Sequence, residues 1–138
     1  MSTKQQRIEV IKRAGKLLSS RKRWCRGTEA MNKLMNGRTY TDAESRDIVE
    51  PSNPDAQSFC AIGALKRAAY EMEKSDLDES GLVREVLTMV NEMSWSKYRN
   101  SISSVNDRDR DGRRRVLETF CDAIKKLEIQ KLEEEDMK

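Results

Sequence analysis

Four carboxylates late in the chain have the spacing of a cation loop. Asp107, Asp109 and Asp111 fall at alternate positions, Gly112 can turn the backbone, and Glu118 stands where a bidentate ligand enters the next helix. This is the short pattern of an EF-hand calcium loop. Its interior opposes that use, because Arg113, Arg114 and Arg115 bring three cations to the place where such loops carry an apolar residue. No second loop accompanies it. The reading adopted is structural: Asp109 or Asp111 caps the following helix, and the alternating Asp and Arg form a salt-bridged turn. No metal is expected; calcium held by Asp107, Asp109, Asp111 and Glu118 stands as the alternative.

Other reactive groups are sparse. The chain has no histidine and three cysteines, Cys25, Cys60 and Cys121, with no Cys-x-x-Cys pair. A transition-metal site and histidine-dependent catalysis both lose their usual ligands and bases. No glycine-rich phosphate loop is present, and no spacing isolates two carboxylates in apolar surroundings. The expectation is a protein that is not an enzyme and needs no cofactor. Two of the cysteines sit on apolar faces, so buried reduced thiols fit best.

Two clusters combine cations with aromatic rings. In the first, Arg21, Lys22, Arg23 and Arg26 surround Trp24, and cations of this kind track phosphates while an indole stacks on a base. Trp24 is better read as a core anchor, because a chain with two Trp, three Tyr and two Phe can hardly spare one from packing. The second cluster, Trp95, Lys97, Tyr98 and Arg99, supports a contact surface and a packed junction equally well. These eight residues, apart from the core reading of Trp24, are the candidate binding groups.

The elements that must position them are helical. Ser58 to Met72 carries Phe59, Ile62, Leu65 and Met72 on one flank and Cys60, Ala61, Ala64 and Ala68 on the other, at about 100° per residue. So wide an apolar arc predicts a buried central helix over about residues 55–74, capped by Asp55. Gly63 inside it implies a close approach of another backbone, at a helix crossing. Ile8, Ile11, Ala14 and Leu18, supported by Val10 and Leu17, form the stripe of a first helix capped by Ser2 or Thr3. Thr28 would cap a short helix with Met31, Leu34 and Met35 inward, ended by Gly37. Thr41-x-x-Glu44 reads as a capping box before a loop with Pro51 and Pro54. After a polar turn at Ser75, Asp76, Asp78 and Ser80, the spacing of Leu82, Val83, Val86, Leu87, Val90 and Met93 predicts a further long helix. Residues 94–105 fit a short helix or a loop. The last helix carries Val116, Leu117, Phe120, Cys121, Ile124 and Leu127. No strand signal competes. The expected fold is all-α, a compact single-domain bundle of four to six helices over residues 1–132, with residues 133–138 an acidic, solvated or frayed tail.

With 138 residues, the chain has the size of one domain. Its 27 Lys and Arg against 24 Asp and Glu leave +3, too little alone to imply nucleic acid, yet the first forty residues are strongly basic. A polar N-terminus and the lack of a long apolar run point away from secretion and from a membrane, hence to the cytoplasm.

Three stretches in order carry a family resemblance: Trp24-Cys-Arg-Gly27, Phe59-Cys-Ala-Ile-Gly63-Ala-Leu65, and Asn106-Asp107 before the last helix. They resemble the W-x-x-G, (W/F)-C-x-x-G-A-L and W-N-D elements of small uncharacterised helical domains of bacteria and their phages. The similarity runs from about Ile8 to Ile124, with Val105 in place of the tryptophan before Asn-Asp. The resemblance implies a helical fold and a structural role for Asp107, and brings no established activity. The expected function is a non-catalytic protein-binding module, an accessory protein of a phage or mobile element that modulates or inhibits a host protein such as a defence component. The alternative is nucleic-acid or nucleotide binding through the basic N-terminal third.

Overall fold

A computed structural model describes residues 2–73 and 81–137. Five α-helices are present among them: α1 (Lys4–Leu17), α2 (Ala61–Glu73), α3 (Gly81–Tyr98), α4 (Ile102–Arg108) and α5 (Gly112–Asp136). Two-residue strands β1 (Ala30–Met31) and β2 (Ser58–Phe59) pair antiparallel, Ala30 opposite Phe59. The protein is a helical bundle in which α2 packs on α1, α3 and α4, while α5 lies along α1, α3 and α4. The polar turn expected at Ser75, Asp76, Asp78 and Ser80 lies outside the described residues.

Side-chain acceptors fix the starts of α1 and α4. Thr3 takes the amide of Gln6 at 3.0 Å, and the Gln6 side chain takes the Thr3 amide at 2.8 Å, a complete capping box for α1. Ile8, Val10, Ile11, Ala14 and Leu18 then go into the core, as their spacing requires. The Thr41/Glu44 box also forms, but it opens a 3-10 helix, Asp42–Asp47, rather than α-helical turns. Residues 94–105 divide: α3 continues through Tyr98, and α4 begins after Ser101, whose hydroxyl accepts from Ser104 N at 3.2 Å. Asn91 of α3 adds an acceptor for the Ile102 amide at 3.0 Å.

Five local expectations are corrected. The central helix begins at Ala61, not Asp55, because Ser58 and Phe59 are drawn into pairing with Ala30 and Met31. No helix follows Thr28. Met31 and Met35 are buried as expected, but Leu34 is 48% exposed, since extended chain does not bring residues 31, 34 and 35 to one face. Gly37 adopts φ +78° in a loop, not at a helix end. Cys121 is exposed; the inward stripe of α5 runs Val116, Phe120, Ala123 and Leu127, leaving Cys121 a step of about 100° past Phe120.

Gly63 does make the close approach, though against an extended segment instead of a helix. A Cβ added there would stand 1.8 Å from the Glu29 carbonyl oxygen. That oxygen also accepts the Cys60 amide at 3.2 Å, so β1 is fixed against the first turn of α2. At the other end of the molecule, α5 carries the acidic residues as far as Asp136, exposed to solvent.

Candidate functional site

The three motif stretches converge on one buried clasp. Asn106 Oδ1 accepts from Trp24 Nε1 at 2.8 Å and from the Ala61 amide at 3.0 Å. Its Nδ2 donates to the Cys25 carbonyl at 3.1 Å and to Asp107 Oδ1 at 2.8 Å. Both donors and both acceptor positions of the amide are thereby used. Asp107 Oδ1 takes the Gly27 amide as well, at 3.0 Å, where the chain turns at φ +83°. Asn106 thus caps α2 from a segment 45 positions away, and Gly63 N finds the Cys60 sulfur at 3.3 Å.

The rest of the clasp wraps Trp24, which has no exposed surface. Gly37 and Gly112 lie so close to the indole that an added Cβ would come within 2.8 Å and 3.1 Å of ring carbons. Arg26 stacks over the ring with its guanidinium carbon 4.4 Å from the centroid, and donates to the carbonyls of Gly37, Asp107 and Asp109 at 3.0–3.1 Å. Arg26 is therefore committed to the fold. The same holds for the enclosed sulfurs. Burial drives the Cys25 thiol far above its ordinary range and pushes the Cys60 thiol up to about 12, so neither is a nucleophile near neutral pH.

The carboxylates of the calcium-like run separate onto different partners. Asp107 faces the clasp, Asp109 pairs with Arg115 at 3.0 Å and Asp111 with Arg114 at 3.3 Å. Glu118 pairs with Arg114 at 2.8 Å and accepts the Tyr98 hydroxyl at 2.7 Å. Among the described residues no three His, Cys, Asp or Glu side chains are grouped to hold a metal ion. Asp111 occupies the cap position of α5 without bonding a helix amide, while Asp109 ends α4, so the capping role expected of them is replaced by the Asp–Arg pairing.

The two clusters read from the sequence each leave a surface open to a partner. Arg21, Lys22 and Arg23 form an exposed 3-10 turn, and Arg21 lies over the Trp24 ring with its guanidinium carbon 5.6 Å from the centroid. No ion pair among the described residues uses these three cations. Arg113 joins them from the start of α5, donating to the carbonyls of Leu18 and Ser19 at 3.2 Å.

The second surface is the outer side of α3. Trp95, 53% exposed, lies with Thr88, Asn91, Glu92, Ser96 and Arg99 along a shallow groove. Arg99 holds φ +59°, a left-handed conformation uncommon for a residue with a side chain, and its amide closes α3 on the Trp95 carbonyl at 3.0 Å. Lys97 and Tyr98 turn away from this groove toward α5. Lys97 meets Asp122 at 3.2 Å, and burial, then the bond to Glu118, raises the Tyr98 hydroxyl above its ordinary value. The cluster read as one unit in the sequence is split by the helix: Trp95 and Arg99 outward, Lys97 and Tyr98 against α5.

The polar hub at Asn106 had only a weak signal in the sequence. Asn106-Asp107 reads there as a turn before a helix, and nothing local says that its amide reaches residues 24 and 61.

Fold and surfaces define a small helical domain whose motif residues build an interior clasp. The chain belongs to a family of unknown function, DUF6197, whose model matches residues 2–126. No curated protein and no solved structure matches it.

Proposed function

We propose that the protein is a non-catalytic protein-binding module that engages its partner through the outer face of α3. The observation that carries this reading is Trp95, left 53% exposed beside Arg99, while the other tryptophan is wholly enclosed. Trp and Arg are the side chains that most often dominate a protein interface. The enclosed thiols and the clasp's fully used polar groups support a role without catalysis. The resemblance to domains of bacteria and phages supports a host protein as partner, with a phage or mobile-element accessory protein acting on a defence component as the setting. No described helix is long and apolar enough to cross a membrane. The test is affinity capture from a bacterial host lysate treated with nuclease, comparing the parent with Trp95→Ala. A specific partner retained after nuclease and lost in the variant is the expected outcome. Equal recovery by both proteins would remove α3 from the reading.

A second reading is nucleic-acid binding, favoured by Arg21, Lys22 and Arg23, which no ion pair among the described residues uses, with Arg113 beside them. Binding through this turn must fall steeply with salt and vanish on reversing Arg21 and Arg23 to Glu. Tight binding to one sequence at physiological salt, destroyed by that reversal, would place this reading first.

A further inference from the structure

The outward face of α5 presents a charge pattern that the other described residues leave unanswered. At about 100° per residue, Lys125, Lys126, Ile129, Leu132, Glu133 and Asp136 fall within one stripe, opposite the buried Val116, Phe120, Ala123 and Leu127. Ile129 is 57% exposed and Leu132 60%, the latter at the edge of a shallow groove with Ile8 of α1. None of the ion pairs formed among the described residues uses Lys125, Lys126, Glu133 or Asp136. The stripe is therefore basic at one end, apolar in the middle and acidic at the other.

We propose that this face binds a second copy of the same chain, with the two α5 helices antiparallel. The order of charges selects that occupant. Rotation about an axis between Ile129 and Leu132 places Ile129 of one copy on Leu132 of the other. It brings Lys125 to Asp136 and Lys126 beside Glu133, twice over by symmetry. Parallel helices in register would instead oppose lysine to lysine and glutamate to glutamate. Two apolar pairs are few against the area of a stable standard interface, so the dimer is weak, concentration-dependent and sensitive to salt. It leaves the Trp95 face of α3 free, and the reading of that face does not depend on it.

The test is sedimentation equilibrium of the whole chain from micromolar to millimolar concentration at low salt. The parent is expected to dimerise and to dissociate as salt rises. K125E/K126E has an all-acidic stripe and E133K/D136K an all-basic one, so each alone should be monomeric, at least tenfold weaker in self-association than the parent. Mixed in equal amounts they should form a heterodimer. These four positions are exposed, and circular dichroism checks that the helices persist in both variants. A parent monomeric throughout the range, self-association unchanged in either charge variant, or no heterodimer on mixing would overturn the proposal.

Discussion

Trp24 Nε1 donates to Asn106 Oδ1 at 2.8 Å across 82 positions of chain, and the same oxygen caps α2 at Ala61. One side chain therefore joins the basic turn, the central helix and the approach to α5. Among the described residues no buried side-chain nitrogen or oxygen lacks a partner, so the clasp is fully satisfied and any deletion within it leaves an orphan.

Asn106→Ala is expected to strand the Trp24 indole N–H, the Ala61 amide and the Cys25 carbonyl inside the protein. At about 1–3 kcal/mol for each buried group left unpaired, the loss should be about 3 kcal/mol or more. Trp24→Phe removes one of these bonds and retains most of the ring. Urea denaturation of both single variants and the double variant should show strong non-additivity, and simple addition would mean that the two groups act separately.

Gly63→Ala should destabilise, although replacing glycine by alanine inside a helix ordinarily gains about 1 kcal/mol. The added carbon would meet the Glu29 carbonyl at 1.8 Å, and that oxygen is held by Cys60 N. Gly63→Leu should be worse still, whereas Ala64→Gly incurs chiefly the propensity penalty of about 1 kcal/mol with the loss of one buried methyl. Melting temperatures in the order Ala64→Gly, Gly63→Ala, Gly63→Leu, from highest to lowest, check the close approach.

Calcium should leave the melting temperature unchanged at millimolar concentration. Asp109, Asp111 and Glu118 are occupied by Arg115 and Arg114, and a cation would have to displace them. A specific site would raise the melting point by mass action, and a rise of several degrees that disappears in Asp109→Ala/Glu118→Ala would establish one.

A water-soluble alkylating reagent should label Cys121 alone in the native protein and all three cysteines after denaturation. Cys121 is exposed, and Cys25 and Cys60 are enclosed with raised thiol pKa. Mass spectrometry of the labelled peptides gives the answer; early labelling of Cys60 would mean that the β2–α2 junction opens readily.

Stability should fall at both ends of the pH scale. Glu44 is held well below its ordinary value by hydrogen bonds from Arg38 and Lys33, Glu85 by Ser2, and Glu118 by the Tyr98 hydroxyl. Because these folded values are depressed, their contribution is present above about pH 4.5, the ordinary glutamate value, and is lost as pH falls below it. Cys60 runs the other way. Its folded value of about 12 exceeds the ordinary 9.0, so its contribution is complete below pH 9 and is lost between 9 and 12. A melting-temperature profile flat from pH 6 to 8 with declines on both sides is expected.

Much of the bundle is legible in the sequence because helical spacing is a local property. The stripe of α1, the inward residues of α3 and the burial of Trp24 follow from residue type and period. The start of α2 does not, since Ser58 to Ile62 carries no signal that separates a short buried strand from a first helical turn. Pairing with Ala30 and Met31, more than twenty-five positions earlier, decides it. Met31 and Met35 illustrate the same limit: their burial is readable, and the backbone that buries them is set by β2 and the Trp24 loop. The contact surfaces are half readable. Trp95 stands out as one of two indoles, but its separation from Tyr98 depends on how α5 lies against α3.

The clasp also orders events during synthesis of the chain. Residues 24–27 and 59–63 are made long before Asn106, and the first turn of α2 has no side-chain acceptor for the Ala61 amide until that asparagine arrives. Gly112 then closes the far side of the indole. A growing polypeptide cut short before α4 emerges from the ribosome therefore has Gly37 and Arg26 against the Trp24 ring but lacks the acceptor for its N–H and the backbone that covers its Cζ2 edge.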